Sequence, residues 1–207
     1  MVSATKGLEE GTSNRMSQVL EEELRKNRNY GICALSGPNL AKEIALGKPS
    51  STVIASVDHG AATKVQSIIN SFLFRVYTSD DIVGVELGGS LKNIIALGAG
   101  ITDGLGLGDN AKAAFITRGL AEITRFGVSA GASPATFSGL TGLGDLVATC
   151  SSTMSRNHYV GEQLAFGKSL DKILESIQNV VEGVATTRGA LPMAAGLGVD
   201  MPITQAT

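Results

Sequence analysis

The sequence predicts an α/β unit followed by an all-α unit, and three observations support this fold class. Within residues 1–79, segments with the pattern of strands alternate with segments with the pattern of helices. After this point the apolar residues recur only at helical spacing. The acidic pair Asp80–Asp81 follows Ser79 and suits the start of a helix, both as a cap and through the helix dipole. We therefore expect a boundary near residue 80, with domains at 1–79 and 80–207.

The N-terminal unit is predicted to hold four strands and three helices, an alternation that implies a parallel sheet with helices on its faces. The strands are predicted at 1–5, 31–36, 51–57 and 75–79. The helices are predicted at 12–26, 40–46 and 61–74. In the C-terminal unit the helices are predicted at 80–101, 110–126, after Pro134, and at 156–166, 170–178 and 184–195. A last helix should begin at Pro202, but we expect it to lack the room to form.

Composition argues against several classes of partner. The 207 residues are 43% hydrophobic and 17% charged, and 17 basic residues face 19 acidic ones without any basic cluster, which argues against nucleic acid. Cys33 and Cys150 lie far apart without metal-ligand spacing, which favours buried thiols in a reducing cytoplasm. No apolar run reaches the roughly 18 residues that cross a bilayer, and residues 1–15 lack the apolar core of a signal peptide. We expect a soluble, intracellular protein.

The glycine clusters do not form a dinucleotide-binding fingerprint, which requires GxGxxG between a strand and a helix. GAGITD at 98–103 ends in Asp, GLGLGD at 104–109 follows a helix, and GLTGLGDL at 139–146 has the wrong spacing. These glycines are therefore predicted to form turns and helix ends. If the protein uses a dinucleotide, the usual fingerprint lies outside this sequence.

The helix predicted at 80–101 carries a lysine without a carboxylate partner along its own length. The positions three and four residues from Lys92 are Gly88, Gly89, Ile95 and Ala96. Burial among such residues lowers the pKa of a lysine and makes its proton easier to transfer. If Asp145 pairs with Lys92 in space, it opposes this shift, and the sequence leaves the balance open. In the alternative interpretation, Lys92 extends along the apolar surface to reach solvent.

Two further segments hold candidate functional residues, each with a structural alternative. Asp145 and Thr149 lie in GLGDLVATC, where Asp145 could simply cap a helix. Arg156 lies in SRN, at the start of a predicted helix, and could be a solvated surface residue. The planar guanidinium group of arginine suits a phosphate, and the amide groups at the start of a helix attract the same anion.

Taken together, the motifs resemble one family. VSATKG, LSGPNLAKEIA, VELGGSLKNIIALGAG, LTGLGDLVATC, SRN and VVEG occur in this order, as in the bacterial-type NAD(P)-dependent sn-glycerol-3-phosphate dehydrogenases. The resemblance runs over essentially all of the chain. Related hydroxyacid dehydrogenases place the catalytic lysine a few residues before the asparagine, whereas Lys92 and Asn93 are adjacent here.

The resemblance implies a Rossmann-type N-terminal domain, here partial, and a helical C-terminal domain of the 6-phosphogluconate dehydrogenase C-terminal-like type, with the active site between them. Family members carry the glycine fingerprint ahead of residues like the first ones here and continue past the Pro202 segment. We therefore expect this chain to be the middle and C-terminal part of such an enzyme.

The implied activity is that of an oxidoreductase. It interconverts dihydroxyacetone phosphate and sn-glycerol 3-phosphate with NAD or NADP, and supplies glycerol 3-phosphate for glycerophospholipid synthesis in the cytoplasm. Lys92 would be the catalytic acid and base. The resemblance implies substrate binding by Lys6, Gly37, Asn93, Asp145, Thr149, Ser155, Arg156 and Asn157. It implies cofactor binding by Lys6, Asn39, Ala41, Arg156, Val180 and Glu182.

Other outcomes are left open. The chain could be a truncated, non-catalytic phosphate-binding or assembly module, or it could belong to a related hydroxyacid dehydrogenase. No metal site and no nucleic-acid partner are expected, and a homodimer is left open. His59 and His158 do not belong to the resemblance, and we expect both to be structural.

Overall fold

The computed structural model describes residues 1–24, 30–152, 154–177 and 180–207. Within these ranges, the strands of the sheet all lie before residue 80 and the elements after it are all helical. The predicted class, α/β followed by all-α, is therefore confirmed. The predicted helix ends at 25–26 and at 178 lie outside the described residues.

Strands and helices alternate along the N-terminal unit. The strands are β1 (Val2–Ser3), β2 (Cys33–Ser36), β3 (Ser50–Ala55) and β4 (Phe74–Ser79). The helices are α1 (Met16–Glu23), α2 (Ala41–Ala45) and α3 (His59–Ile69). The strands form one sheet in the order β1-β2-β3-β4.

The sheet is mixed, so the prediction of an all-parallel sheet is wrong for one strand pair. β1 and β2 are parallel, as are β3 and β4, but β2 and β3 are antiparallel. The link between the two strands contains only the five-residue helix α2 and returns the chain to its starting point, since the hydroxyl of Ser50 donates to the carbonyl oxygen of Pro38 at 3.2 Å. β3 therefore begins near the end of β2 and runs in the opposite direction.

The C-terminal unit is built from helices. They are α4 (Ile82–Gly104), α5 (Gly108–Ser129), α6 (Pro134–Phe137), a π-helical turn (Leu140–Gly144), α7 (Asp145–Ser151), α8 (Arg156–Ala165), α9 (Leu170–Glu175), α10 (Glu182–Gly196) and α11 (Pro202–Ala206). The π-helical turn and α7 were not predicted as separate elements. The glycines in this segment indicated only turns, whereas packing against α4 holds the backbone in helical form.

Helix α4 is the centre of this unit. Asp81 caps it as predicted, since its Oδ1 accepts a hydrogen bond from the backbone amide of Gly84 at 2.8 Å. By length and composition alone, α4 is also long and apolar enough to cross a membrane, a possibility that the sequence pattern did not indicate. However, 94% of its most apolar window is buried inside the fold. Helix α4 is therefore a core helix rather than a membrane span.

A buried ion pair joins α1 to α4. The carboxylate of Glu86 accepts hydrogen bonds from the amide of Ser17 at 2.7 Å, from its hydroxyl at 2.6 Å, and from Nη1 of Arg15 at 2.5 Å. A buried charge is tolerated only when it is paired and hydrogen-bonded, and this carboxylate meets both conditions. The contact fixes the N-terminal unit against the helix that carries Lys92.

Helix α11 forms despite the expectation that it would lack room. Glu122 on α5 is almost fully buried, and its carboxylate accepts hydrogen bonds from the amides of Ile203 and Thr204, each at 2.8 Å. These amides lie in the first turn, where a helix leaves its amides without partners and attracts negative charge. A side chain distant in sequence therefore supplies the cap, which the sequence pattern could not show.

Helices α4, α8 and α10 approach each other closely at three glycines. A Cβ atom at Gly161 of α8 would lie 1.9 Å from the carbonyl oxygen of Leu97, and one at Gly100 would lie 2.0 Å from that of His158. A Cβ at Gly183 of α10 would lie 2.9 Å from the carbonyl oxygen of Asn93. Because positions 93, 97 and 100 share one face of α4, these contacts form a continuous seam, which we call the glycine seam.

The glycine seam predicts a specific loss of stability. Gly161→Ala should lower the free energy of unfolding by about 1–3 kcal/mol, because the added methyl group must push α8 away from Leu97. Gly196→Ala is the matched control, since Gly196 also lies in a helix but a methyl group added there would meet no atom within 4 Å. Denaturant unfolding of both variants would measure the difference. Equal stabilities would contradict the prediction.

Candidate active site

A cleft of about 540 Å³ opens between the sheet and the helices. It lies beyond the carboxyl ends of the parallel strands β1 and β2, where α/β proteins commonly bind ligands. On the sheet side it is lined by Ala4, Lys6, Asn39, Leu40, Ala41 and Lys42. On the helix side it is lined by Lys92, Asn93, Thr149, Met154, Ser155, Arg156, Asn157 and Glu182. Most of the residues singled out in the sequence therefore meet in one cleft.

Lys92 has no partner along α4, but it does have partners on α7. Its Nζ lies 2.8 Å from Oδ1 of Asp145 and donates a hydrogen bond to the hydroxyl of Thr149 at 2.5 Å. Oδ2 of the same carboxylate accepts a hydrogen bond from Nζ of Lys6, which also donates to the carbonyl oxygen of Gly37 at 3.2 Å. One buried carboxylate thus lies between two ammonium groups.

The structure decides the balance that the sequence left open for Lys92. Burial lowers the pKa of Lys92 below its ordinary value, and the nearby charge of Lys6 lowers it further. The charge and hydrogen bond of Asp145 raise that pKa, but the lowering effects outweigh them. The pKa of Lys92 is therefore lowered even though the lysine is paired.

The π-helical turn places Asp145 at the first position of α7. The turn approaches α4 closely where α4 has a glycine, because a Cβ at Gly88 would lie 2.9 Å from the carbonyl oxygen of Thr141. The hydroxyl of Thr149, one turn further along α7, lies 2.6 Å from the backbone oxygen of Asp145 and can donate to it. The side chains of Asp145 and Thr149 are therefore held on the face of α7 that meets Lys92. Single π-helical turns such as the one before α7 are frequently found at functional sites.

Asn93 lines the cleft with an unused hydrogen-bond donor. Its Nδ2 is buried and has no hydrogen-bond partner among the described residues. A buried amide donor without a partner is unfavourable unless an acceptor reaches it. An oxygen atom of a bound ligand would fill this role.

The start of α8 supplies the far side of the cleft. Ser155 caps the helix, since its hydroxyl accepts a hydrogen bond from the amide of His158 at 3.2 Å. Oδ1 of Asn157 accepts one from the amide of Gly183 at 3.0 Å. Nη1 of Arg156 donates to the carbonyl oxygen of Val180 at 2.6 Å, and its side chain is 44% exposed. Its Nη2 lies 3.9 Å from Oε1 of Glu182, an ion pair too long for a hydrogen bond. Since a guanidinium group carries five N–H donors, Arg156 keeps donors for an anion.

Three of the residues singled out in the sequence do not line the cleft but contact residues that do. Gly37 contacts Lys6, Asp145 contacts Lys92, and Val180 contacts Arg156.

Asn39 lines the cleft, but its side chain is engaged elsewhere. Its Nδ2 donates to Ser50 Oγ at 3.1 Å and to the Ser51 carbonyl oxygen at 3.0 Å, while its Oδ1 accepts from Thr52 at 2.8 Å. The amide of Asn39 therefore fastens the loop after β2 to β3. Its own backbone amide donates to the carbonyl oxygen of Gly37 at 2.8 Å.

The charges of the cleft suit an anion. Four cationic side chains line it, those of Lys6, Lys42, Lys92 and Arg156, against the carboxylates of Glu182 and, just behind the wall, Asp145. Lys42 was not singled out in the sequence, although it adjoins Ala41 in the LSGPNLAKEIA motif. Within the described parts of the chain, no group of three or more His, Cys, Asp or Glu residues could hold a metal ion.

The lowered pKa of Lys92 predicts how stability depends on pH. Between the folded-state pKa of Lys92 and its ordinary value of 10.5, the unfolded chain keeps a proton that the folded chain has lost. The free energy of unfolding therefore rises with pH in this window. Lys92→Met removes that contribution, so the variant should show a smaller rise. Denaturant unfolding at successive pH values would measure it.

Lys64→Met, which replaces an exposed lysine on α3, is the control for this experiment. Burial raises the pKa of the Cys150 thiol to about 12, so Cys150 makes stability fall as pH rises above its ordinary value of 9.0. Because the charge of Lys92 itself lowers this pKa, the contribution of Cys150 differs in Lys92→Met and does not cancel, so all the proteins compared carry Cys150→Ala in this experiment. Parallel curves for Lys92→Met and the chain that keeps Lys92 would contradict the prediction.

Comparison with known proteins identifies the family. Residues 1–62 match the family model for the N-terminus of NAD-dependent glycerol-3-phosphate dehydrogenase, and residues 81–207 match the one for its C-terminus. Two similar proteins, both named glycerol-3-phosphate dehydrogenase [NAD(P)+], come from Dehalococcoides mccartyi strain ATCC BAA-2266 and Bacillus cereus strain G9842. The first is 56% identical over 98% of this chain and 56% of its own length. The second is 54% identical over 99% of this chain and 60% of its own length.

The fold matches a solved structure of the same kind. The crystal structure of glycerol-3-phosphate dehydrogenase from Coxiella burnetii superposes with a TM-score of 0.93 at 38% identity, covering 99% of this chain and 62% of that one. The chain thus spans a little over half of the length of the proteins it matches. With both family models matched and this likeness in structure, the chain belongs to the NAD-dependent glycerol-3-phosphate dehydrogenase family.

Proposed function

We propose that this chain carries the active site of an oxidoreductase that interconverts dihydroxyacetone phosphate and sn-glycerol 3-phosphate with NAD or NADP. One observation carries the proposal: a buried lysine of lowered pKa, bound to a buried aspartate, lines a cleft that is rich in cationic side chains. Membership of the family supports the same activity. The product would serve glycerophospholipid synthesis.

Lys92 would transfer the proton. When the ketone is reduced, negative charge develops on its oxygen, and a donor beside it must supply a proton. Burial makes the ammonium group of Lys92 a better acid than an exposed lysine, and in the reverse reaction the neutral amine accepts the proton. Asp145 and Thr149 would hold Nζ in place, since both contact it.

The substrate would be held at both ends. The free Nδ2 of Asn93 could donate to an oxygen near the reacting carbon. The phosphate would bind Arg156 with Ser155 and Asn157, where the start of α8 adds backbone amides that point toward an anion. Lys6 would add positive charge from the sheet side.

The cofactor would be held on the sheet side and at the start of α10. NADH or NADPH, when bound, supplies the hydride. The cleft is lined by Lys6, Asn39, Ala41 and Glu182, while Val180 would act through the contact of its carbonyl oxygen with Arg156. The position of the cleft at the carboxyl ends of β1 and β2 fits a dinucleotide.

The two units would have different roles in binding and catalysis. We propose residues 1–79 as a partial cofactor-binding domain and residues 80–207 as the substrate-binding and catalytic domain, since Lys92, Asp145 and Arg156 all lie in the second. A cytoplasmic location is supported by Cys33 and Cys150, which are both buried and free of disulfides.

Replacing Lys92 tests the proton transfer. Lys92→Met should lower kcat with dihydroxyacetone phosphate by about 100- to 10,000-fold, the usual contribution of a general acid. The absorbance of NADH would follow turnover, in the chain alone and in the chain joined to the N-terminal segment of its Dehalococcoides mccartyi relative. Lys64→Met is the control and should leave kcat unchanged. Normal turnover in Lys92→Met would remove Lys92 from this role, and no turnover in either unaltered protein, with both folded, would favour a binding module.

Replacing Arg156 tests the phosphate site. Arg156→Ala should raise KM for dihydroxyacetone phosphate by about 10- to 100-fold, because hydrogen bonds to charged groups contribute about 1.5–3 kcal/mol. Its effect on kcat should be smaller than that of Lys92→Met. Steady-state kinetics over a range of substrate concentrations would separate the two constants, and an unchanged KM would exclude Arg156 from phosphate binding.

A further inference from the structure

A cluster of three charged or titratable side chains lies outside the cleft, where α4, α5 and α8 meet. Asp103 in the last turn of α4 accepts a hydrogen bond on its Oδ2 from Nζ of Lys112 at 2.5 Å. Nε2 of His158 lies 2.7 Å from the same oxygen. None of the three lines the cleft. His158 was expected to be structural, and the proposed reaction uses none of the three side chains.

The contacts within the cluster favour the ionised carboxylate of Asp103. Partial burial raises the pKa of Asp103, but the hydrogen bonds and charges of Lys112 and His158 lower it by more, and the net shift is downward. The carboxylate is therefore ionised near neutral pH. His158 and Lys112 are mostly buried, with 14% and 19% of their side chains exposed. The Asp103 side chain itself is 31% exposed. Hydrogen bonds to an ionised carboxylate are nevertheless shorter and stronger than those between neutral groups.

The cluster acts on the helix that carries the proposed phosphate site. His158 follows Arg156 and Asn157 directly, in the first turn of α8. Its carbonyl oxygen lies in the glycine seam against Gly100, and its imidazole lies on Asp103, one turn further along α4. Both its backbone and its side chain are thus fastened to the helix that carries Lys92.

The glycine seam fixes the middle of α8 against α4, because a Cβ at Gly161 would lie 1.9 Å from the carbonyl oxygen of Leu97. The first turn of α8, which carries Arg156 and Asn157, lies one turn or more before Gly161. The hydrogen bond between His158 and Asp103 adds a directional contact in that first turn. Loss of this contact would let the first turn shift and carry Arg156 and Asn157 away from the cleft.

We propose that Asp103, His158 and Lys112 form a clasp that positions Arg156 and Asn157 for the phosphate group of the substrate. They are positioning residues and need not touch the substrate. This inference rests on the proposed function, because it assigns the phosphate to the start of α8. It predicts that loss of the clasp weakens substrate binding more than it slows the reaction.

Three variants test the clasp in the chain joined to the N-terminal segment of its Dehalococcoides mccartyi relative. His158→Ala should raise KM for dihydroxyacetone phosphate by about five- to tenfold, the loss expected for one hydrogen bond of this kind, with kcat changed less than about twofold. His158→Gln keeps a donor near the position of Nε2 and should restore most of the affinity. Asp103→Asn removes the charge and should act in the same direction as His158→Ala.

Two further measurements separate the possible outcomes. His59→Ala, which replaces an exposed histidine paired with Asp80, is the matched control and should leave KM unchanged. Thermal unfolding would show whether each variant is folded. An unchanged KM in folded His158→Ala, or no rescue by His158→Gln, would overturn the clasp. Absence of turnover in the unaltered protein would instead overturn the proposed function, and titration with glycerol 3-phosphate would then show whether the cleft binds phosphate at all.

Discussion

The backbone-to-backbone contact of α4 with α8 and α10 is the constraint on which the site depends. Side chains of ordinary size would hold these helices about 8–10 Å apart, but Gly161, Gly100 and Gly183 let them approach until carbonyl oxygens nearly touch the missing Cβ positions. The face of α4 that forms this seam begins at Asn93. The distance across the cleft, from Lys92 to the start of α8, therefore follows from the packing of glycine.

A second constraint is electrostatic. Burying a carboxylate is costly unless cations surround it, and Asp145 lies between the ammonium groups of Lys6 and Lys92. One carboxylate shared by two lysines cannot fully neutralise either, so burial and the charge of Lys6 keep the pKa of Lys92 low. The same arrangement links the loop after β1 to α4 and α7. Stability and proton transfer thus depend on one group of side chains.

The two units meet at the ends of their strands and helices. The carboxyl ends of β1 and β2 present backbone and short loops, and the starts of α8 and α10 present amides and polar side chains. Glu86, held by Arg15 and Ser17, fixes one unit against the other. The antiparallel turn between β2 and β3 lets Asn39 fasten the loop after β2 to the start of β3. These contacts hold the cleft from both sides.

Periodicity and capping residues were enough to predict the α/β and all-α units and the start of α4 after Asp80–Asp81, because these are local effects. The order of the motifs pointed to most of the residues that line the cleft, because the resemblance to the family rests on the motifs that contain them. The direction of β3 and the cap that Glu122 supplies to α11 escaped prediction, and the pairing of Lys92 with Asp145 was left open. Each joins residues distant in sequence, and no local pattern records such contacts. Tertiary packing alone determined the pKa of Lys92, because burial and the charges of Lys6, Asp145 and Glu182, all from other segments, decide it.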